Sequence, residues 1–271
     1  MLGAIVGDII GSAYEFTGQK LYDFELLPQG SCFTDDTVMT IAVAHWLVHY
    51  DEEGLTNEQL IATMQEFGRK YPFAGYGSSF NSWIWSEEPR PYNSWGNGAA
   101  MRVSPVGLYA ETLDEALALA KRTAEVSHNH PEGIKAAQAV AAAVWMAKHG
   151  HTKEEIRHYI TEKFNYDLTR TVDEIRPTYQ WDVSCQGSVP ESIICILEGK
   201  SFLDVVRLAV SLGGDADTMA CIAGSIAACI YPMPEWIINR CEYLLPEHLL
   251  HTLQAFEGYL YILPLFRLLY D

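Results

Sequence analysis

Two short acidic segments carry the residues best suited to chemistry in this sequence. They are Thr34-Asp35-Asp36-Thr37 and Gly213-Gly214-Asp215-Ala216-Asp217-Thr218. Each segment places two carboxylates and a threonine hydroxyl directly before a helical pattern of apolar residues. Hard oxygen ligands of this kind are those that divalent cations prefer in proteins. We therefore expect the two segments to meet at the functional centre of the chain.

The simplest alternative is that these residues only cap helices, because Thr and Asp favour the first turn of any helix. The residues after the second segment argue against capping alone. Residues 219–230 are nearly free of charge and rich in small side chains, so they predict a buried helix. The carboxylates of Asp215 and Asp217 at its start are costly to bury without cations or hydrogen-bond donors.

The N-terminal residues 3–16 predict a helix that approaches a neighbour closely. Its glycines recur every four residues, at Gly3, Gly7 and Gly11. This spacing leaves one helix face without side chains. Asp8 lies within the same apolar pattern and needs a partner if it is buried. Glu15 falls near the helix end and is either a surface acid or part of the functional centre.

The rest of the chain predicts further helices and no convincing strand. Helices are expected at residues 38–49, 57–69, 113–126, 131–149, 153–164, 185–197, 201–212, 219–230, 235–244 and 247–263. Residues 71–95 are rich in aromatic, Gly, Pro and Ser residues and predict a long ordered loop. No linker or repeat divides the chain, so we predict an all-α fold with a single compact domain of about a dozen helices spanning residues 1–271.

A glycine-rich segment follows Trp95, in which Gly96 and Gly98 flank Asn97. Glycines permit positive φ, and such a turn exposes backbone N–H groups that suit a pyrophosphate. An ordinary tight turn explains the same residues without any ligand. The residues alone leave both interpretations open.

Histidines flank Asn129 in the segment Ser127-His128-Asn129-His130, just before a helix that starts at Pro131. The H-x-H spacing occurs in some zinc hydrolases. Those sites lie at strand ends of barrels, whereas this chain predicts no strand. We expect instead a histidine near a ligand or one that is hydrogen-bonded at the helix start.

The composition restricts the class of protein. A net charge of -17 at pH 7 argues against a general affinity for nucleic acid or an anionic membrane. The six cysteines show no C-x-x-C spacing and are expected to be reduced core residues. The N-terminus lacks the basic start of a secretory signal, and no uncharged apolar run reaches the roughly 18 residues that span a bilayer. We expect a soluble, cytoplasmic, monomeric protein.

Six motifs in this order resemble those of the ADP-ribosylglycohydrolases, which include the dinitrogenase reductase-activating glycohydrolases and the ADP-ribosyl-acceptor hydrolases. The resemblance runs nearly the whole length of the chain. The motifs are G-D-x-x-G-x-x-x-E at residues 7–15, T-D-D-T at 34–37, G-N-G-x-x-M-R at 96–102, S-H at 127–128, S-V-P at 188–190 and G-G-D-x-D-T at 213–218. Ala216 stands where the family often has Thr, and Trp95 precedes the G-N-G motif, but neither difference removes a ligand.

The resemblance implies an all-α fold with two metal ions, Mg²⁺ or alternatively Mn²⁺. The implied ligands are Thr34, Asp35, Asp36, Asp215, Asp217 and Thr218. The implied catalytic residues are Glu15, Asp35, Asp36 and Asp217, with Glu15 or a metal-linked Asp handling the proton. The implied substrate contacts are Trp95, Gly96, Asn97, Gly98, His128 and Ser188. The expected reaction is hydrolysis at the anomeric carbon of the distal ribose of an ADP-ribosylated acceptor.

Two other functions fit the same residues. Paired metals also suit a phosphohydrolase that cleaves a nucleotide diphosphate. A non-catalytic ADP-ribose-binding protein is the third possibility, although retention of both acidic segments and Glu15 argues against it. Arginine and serine side chains, small conjugates and nucleic-acid adducts all stay open as acceptors. The acidic composition favours a cationic acceptor such as arginine, and Tyr14, Tyr92 and Trp95 are the candidate residues at the rim.

Overall fold

The structure is a computed structural model that describes residues 1–51 and 54–270, with side chains described up to residue 262. The helices in chain order are α1 (Leu2–Ser12), α2 (Asp35–His49), α3 (Asn57–Lys70), α4 (Ser78–Trp85), α5 (Gly98–Met101), α6 (Ser104–Tyr109), α7 (Leu113–Glu125), α8 (Pro131–Lys148), α9 (Lys153–Phe164), α10 (Val172–Ile175), α11 (Cys185–Glu198), α12 (Phe202–Val210), α13 (Ala216–Ile230), α14 (Glu235–Tyr243) and α15 (Glu247–Tyr270). Within the described ranges the one β-type pairing is an isolated bridge between Gly96 and Ser184. The prediction of an all-α fold is confirmed, and residues 52, 53 and 271 of the predicted domain 1–271 lie outside the described residues.

Helices α1 and α13 pack against each other backbone to backbone. A Cβ atom added to Gly7 would lie 2.0 Å from the carbonyl oxygen of Ala220. A Cβ atom added to either of the other two glycines of the repeat would lie 2.4 Å from a carbonyl oxygen of α13. Only a residue without a Cβ fits such an approach, so the glycine repeat is a requirement of this contact. The contact sets Asp8 of α1 beside Asp217 of α13.

The two acidic segments form the N-terminal turns of α2 and α13, where the sequence predicts them. Thr34 is the N-cap residue of α2, and its hydroxyl oxygen accepts a hydrogen bond from the Asp36 backbone N–H at 3.3 Å. Asp215 is the N-cap residue of α13, but its side chain makes no capping hydrogen bond. Capping therefore accounts for part of the first segment and leaves the carboxylate of Asp215 free for another role.

One hydrophobic core runs through the described helices, and α13 lies deep within it. Residues 216–227 are all buried, which confirms the buried helix predicted from its small and apolar side chains. The alanine-rich helix α8 is also largely buried. Among the described residues, no helix is both long enough and apolar enough to cross a membrane.

The prediction of one long loop at residues 71–95 is wrong, because helix α4 lies within it. Its apolar residues, Phe80, Trp83 and Ile84, are buried. Two serines precede Phe80, and an asparagine and a third serine follow it, which gives the segment the composition of a loop. The short helices α5, α6 and α10 are also additions to the prediction, since four to six residues are too few for a periodic pattern.

The six cysteines are free thiols, and five of them are buried or partly buried, as predicted. Four are buried and Cys229 is partly buried, as expected for small apolar residues of a core. Cys32 is exposed, so its assignment to the core is wrong. It lies in the loop before α2, outside any apolar helical pattern.

Candidate active site

A cavity of about 410 Å³ lies where the first turns of α2 and α13 meet the turn after α1. We name one side the acid wall, which consists of Glu15, Asp35, Asp36, Asp215, Asp217 and Thr218. The other side, the loop wall, is formed by residues from the segments 75–80, 92–102 and 181–183 together with His128. Both predicted acidic segments therefore meet in one place.

Five carboxylates at and behind the acid wall form two groups that share one member. Ligand oxygens of Asp8, Asp36 and Asp217 lie within 4.8 Å of one another. The same holds for Glu15, Asp215 and Asp217. Asp217 belongs to both groups, so the two candidate cation-binding groups have this carboxylate in common.

Asp8 lies behind the acid wall and ties α1 to the start of α2. Its Oδ2 accepts hydrogen bonds from the backbone N–H of Thr34 at 2.9 Å and of Thr37 at 3.1 Å. The hydroxyl of Thr34 donates to its Oδ1 at 2.7 Å, and the hydroxyl of Thr37 donates to Oδ2. Burial raises the pKa of Asp8 to about 6 although these four donors oppose the shift. Asp8 thus holds in place the turn that carries Asp35 and Asp36.

The other acids have fewer hydrogen-bond donors. Asp36 accepts from the Thr218 hydroxyl at 3.0 Å through Oδ2, while its buried Oδ1 has no partner among the described residues. Asp215 accepts from the side-chain amide of Asn97 at 2.7 Å. Asp217 accepts from the backbone N–H of Thr218 at 2.9 Å. Several carboxylate oxygens are therefore left without a donor.

Burial and mutual repulsion make these carboxylates reluctant to ionise. Burial, followed by the charge of Asp217, raises the pKa values of Asp35 and Asp36 well above the ordinary range. Burial, followed by Asp215, does the same to the pKa of Asp217. Burial and the charges of Asp217 and Asp8 raise the pKa of Glu15 to about 8.

The described part of the chain offers this cluster no salt-bridge partner, since no lysine or arginine side chain there forms a salt bridge with any of its acids. The cluster offers carboxylate and hydroxyl oxygens, an unpartnered buried oxygen on Asp36, and strong mutual repulsion. A hard divalent cation binds such oxygen atoms, including an unpartnered one, and its charge offsets the repulsion between the carboxylates. These residues therefore fit Mg²⁺ or Mn²⁺.

The glycines of the loop wall permit a close contact with a histidine. Neither Gly96 nor Gly98 has a positive φ, which excludes the positive-φ turn, one of the two interpretations of this segment. A Cβ atom added to Gly98 would lie 3.0 Å from Nε2 of His128. Asn97 donates its backbone N–H to the carbonyl oxygen of Val183 at 2.9 Å. The glycines let this segment approach a histidine closely.

His128 lies in the loop wall and is almost fully buried, at 5% exposure. Its ring packs near those of Phe80 and Tyr92, with centroids 6.1 and 5.5 Å away. Burial, assisted by the charge of Arg102, holds the pKa of His128 well below the ordinary value. The second histidine of the pair, His130, instead caps α8 by accepting from the backbone N–H of Glu132 at 3.1 Å.

Three of the residues predicted for the site do not line the cavity. Thr34 is buried behind the acid wall, where its hydroxyl bonds to Asp8. Trp95 packs edge to face against His130. Ser188 is fully buried and donates its hydroxyl to the carbonyl oxygen of Ser184 at 2.7 Å. The remaining predicted site residues all contribute to the cavity walls.

Several cavity residues were missing from the prediction. Phe16 and Trp181 lie at the cavity with their rings stacked at 5.0 Å, and they are 81% and 43% exposed. Residues 75–80 complete the loop wall, and Arg102 also lines the cavity although it is fully buried. The arginine ends the quoted G-N-G-x-x-M-R motif, which was the available signal for it. No periodic pattern marks the other residues, since they lie mostly in loops.

Comparison with known proteins gives a consistent result. A family model described as ADP-ribosylglycohydrolase matches residues 1–262. ADP-ribosylhydrolase ARH3 from Bos taurus is 26% identical over 326 residues, which cover 89% of this chain and 87% of that protein. ADP-ribosylarginine hydrolase Tri1 from Pseudomonas putida (strain GB-1) is 22% identical, covering 88% of this chain and 72% of that protein.

A solved structure supports the fold. A chain titled ADP-ribosylglycohydrolase-related protein complex superposes with a TM-score of 0.68 at 24% sequence identity. The superposition covers 94% of this chain and 95% of that chain. At this identity the likeness is one of fold.

Proposed function

Because this chain belongs to the ADP-ribosylglycohydrolase family, we propose that it is a metal-dependent hydrolase that releases ADP-ribose from a modified acceptor. The bond to be cleaved joins the anomeric carbon of the distal ribose to the acceptor. One observation carries the proposal: two groups of carboxylates share Asp217 at the wall of a cavity. Relatives such as ARH3 are named ADP-ribosylhydrolases, which agrees with this proposal.

The proposed cofactor is a pair of Mg²⁺ ions, with Mn²⁺ as the alternative. The proposed ligands are Thr34, Asp35, Asp36, Asp215, Asp217 and Thr218. Bound cations of this kind orient sugar hydroxyls and make a water molecule a better nucleophile at neutral pH. Asp8 supports this set from behind, because its four hydrogen bonds to Thr34 and Thr37 fix the turn before α2.

The acids also have a proposed part in the chemistry. Positive charge develops on the ribose as the bond at its anomeric carbon breaks, and the carboxylates of Asp35, Asp36 and Asp217 stabilise it. Glu15 is the proposed proton carrier. Its pKa of about 8 lets the carboxyl hold a proton at neutral pH and donate it to the departing acceptor.

The loop wall is the proposed binding surface for the rest of the ADP-ribosyl group. Gly96, Asn97, Gly98 and His128 line the cavity and are assigned direct contacts. Trp95 and Ser188 are proposed to support this wall from behind. The Trp95 carbonyl oxygen accepts the Cys185 backbone N–H at 2.8 Å, and the Ser188 hydroxyl donates to the Ser184 carbonyl oxygen at 2.7 Å.

A cationic acceptor such as an arginine side chain fits the cavity rim best. The stacked rings of Phe16 and Trp181 are exposed beside Glu15, and an exposed aromatic face attracts a guanidinium group. The net charge of -17 attracts the same group from a distance. The name of Tri1, an ADP-ribosylarginine hydrolase, agrees with this choice, whereas that of ARH3 specifies no acceptor.

Release of ADP-ribose from matched peptides tests the proposal. One peptide carries ADP-ribose on arginine and the other on serine, and each is incubated with Mg²⁺, with Mn²⁺ and with a chelator. We expect free ADP-ribose from the arginine peptide with a metal, little from the serine peptide, and none with the chelator. Chromatography separates ADP-ribose from its fragments.

Each other product pattern identifies a different function. AMP together with ribose phosphate would mean that the phosphorus of the diphosphate is attacked, as in a two-metal phosphohydrolase. Tight binding of ADP-ribose without turnover of either peptide would mean a non-catalytic binding protein. Full activity in the chelator would contradict the metal centre. The predicted monomeric state and cytoplasmic location stay predictions.

A further inference from the structure

Within the loop wall, the side chains of Arg102, Ser127 and His128 form a buried hydrogen-bonded network that ends at the cavity. Nη2 of Arg102 donates to the Ser127 hydroxyl oxygen at 2.8 Å and to the Thr123 carbonyl oxygen at 2.7 Å. The Ser127 hydroxyl lies 2.8 Å from Nδ1 of His128. Arg102 and Ser127 are fully buried, so water does not compete for these bonds.

The number of protons on each group determines which atoms donate and which accept along this hydrogen-bonded network. A guanidinium group only donates, so the Ser127 oxygen accepts from Arg102 and keeps one proton of its own. Among the described residues, Nδ1 of His128 is the one acceptor bonded to that hydroxyl. A proton on Nδ1 would leave the buried hydroxyl proton without an acceptor, which is an unfavourable state.

The other ring nitrogen of His128 faces the glycine segment of the cavity. A Cβ atom added to Gly98 would approach Nε2 at 3.0 Å, and one added to Gly96 would approach it at 3.9 Å. No partner for Nε2 is found among the described residues. A donor at this position is therefore left for a ligand.

We propose that Arg102 and Ser127 are positioning residues that hold His128 with its proton on Nε2, so that this N–H donates to an oxygen of the bound ADP-ribosyl group. The proposal rests on the proposed function for the identity of the ligand. It extends that function, because two buried residues, Arg102 and Ser127, set which nitrogen of His128 donates a hydrogen bond into the cavity.

A measurement on the ligand-free protein tests the tautomer directly. The protein is labelled with ¹⁵N-histidine, and long-range ¹H–¹⁵N correlation spectra are recorded between about pH 6 and about pH 8. Comparison with His128→Asn identifies the His128 signals. We expect a neutral ring protonated on Nε2 throughout. A ring protonated on Nδ1, or on both nitrogens, would overturn the proposal.

Binding of ADP-ribose in the presence of Mg²⁺ tests the consequence by calorimetry. His128→Asn removes the donor, and Ser127→Ala removes its support, so each should weaken binding about tenfold. In the double variant the loss should equal that of His128→Asn alone, because Ser127 acts through His128. His128→Gln carries an amide N–H near the position of Nε2 and should restore part of the affinity.

The control is Ser225→Ala, which removes the hydroxyl of another buried serine, bonded to the Ile222 carbonyl oxygen at 2.7 Å. We expect this variant to bind like the unmodified protein. Additive losses of affinity for Ser127→Ala and His128→Asn would overturn the proposal that Ser127 acts through His128. If the unmodified protein does not bind ADP-ribose, the proposed function and the ligand of Nε2 both fail, whereas the spectra still decide the tautomer.

Discussion

The two walls of the cavity differ in how they satisfy their polar groups. The acid wall rests on helix ends and concentrates carboxylates without a salt-bridge partner among the described side chains. The loop wall rests on loops and a short helix, and its histidine is part of a continuous hydrogen-bonded chain from Arg102 through Ser127. The acids of one wall have no countercharge in a salt bridge among the described side chains, whereas the histidine of the other wall is already held by hydrogen bonds.

This difference divides the work of the proposed reaction. A site that must hold cations requires unpaired charge, which makes the free protein less stable there. A surface that orients a substrate requires side chains fixed before binding, because ordering them later costs affinity. Three predictions below test the acid wall and the helices beneath it, and a fourth tests the aromatic rim of the cavity.

Asp217→Asn should have the largest effect on activity, because it removes the carboxylate common to both groups. We expect turnover to fall by at least about 100-fold and Mg²⁺ no longer to raise the melting temperature. The control is Asp114→Asn on the exposed side of α7, which should change neither quantity. Full activity of Asp217→Asn would contradict the shared-ligand arrangement.

Gly7→Ala should have the largest effect on stability, because the new Cβ atom would lie 2.0 Å from the Ala220 carbonyl oxygen. We expect the free energy of unfolding in urea to fall by about 3 kcal/mol as α1 and α13 move apart. Gly258→Ala in α15 is the matched control, since a Cβ there meets nothing within 4 Å. That control should gain roughly 0.5 to 1 kcal/mol.

The acid wall was largely predictable from the sequence because its signals are local. Asp35, Asp36, Asp215 and Asp217 each fall in the first turn of a helix or at its N-cap, and the helix that follows Asp217 is visibly apolar. The glycine repeat of α1 likewise predicted a close helix contact. Physical chemistry that acts over three or four residues leaves a readable pattern.

The loop wall was less predictable because its contacts join distant parts of the chain. Phe16 stacks on Trp181, and Arg102 reaches Ser127, without any periodic spacing that links them. The partners of Asp8 are 26 and 29 residues away, so its need for a partner was evident but their identity was not. Helix α4 escaped because its serines resemble those of a loop.

The dependence of stability on pH should reveal the strain in the acid wall. Asp8 and Asp215 have ordinary pKa values of 3.8 that rise to about 6, and that of Glu15 rises from 4.5 to about 8. A carboxyl with a raised folded-state pKa stabilises the fold fully below its unfolded pKa, and this contribution is lost as pH rises through the folded value. In chelator, the melting temperature should therefore fall between pH 6.5 and about 8.

Saturating Mg²⁺ should reduce this fall, because the cations bind the ionised carboxylates and stabilise the folded state. Measurements start at pH 6.5 because His128, with its lowered pKa, contributes the opposite trend below that value. A melting temperature in chelator that rises with pH over the same range would show that the carboxylates are not strained.

Trp181→Ala should have the smallest effect on activity, and it tests the contribution of the rim independently of both walls. An exposed cation–π contact is worth about 0.5 to 1 kcal/mol, so KM for an arginine-linked substrate should rise about two- to fivefold with little change in kcat. KM for a serine-linked substrate should stay unchanged, because it presents no cation to the ring. Trp236→Ala, which removes an exposed tryptophan from α14, is the control. An equal rise for both substrates would mean that Trp181 only packs against Phe16, and that acceptor choice lies elsewhere on the rim.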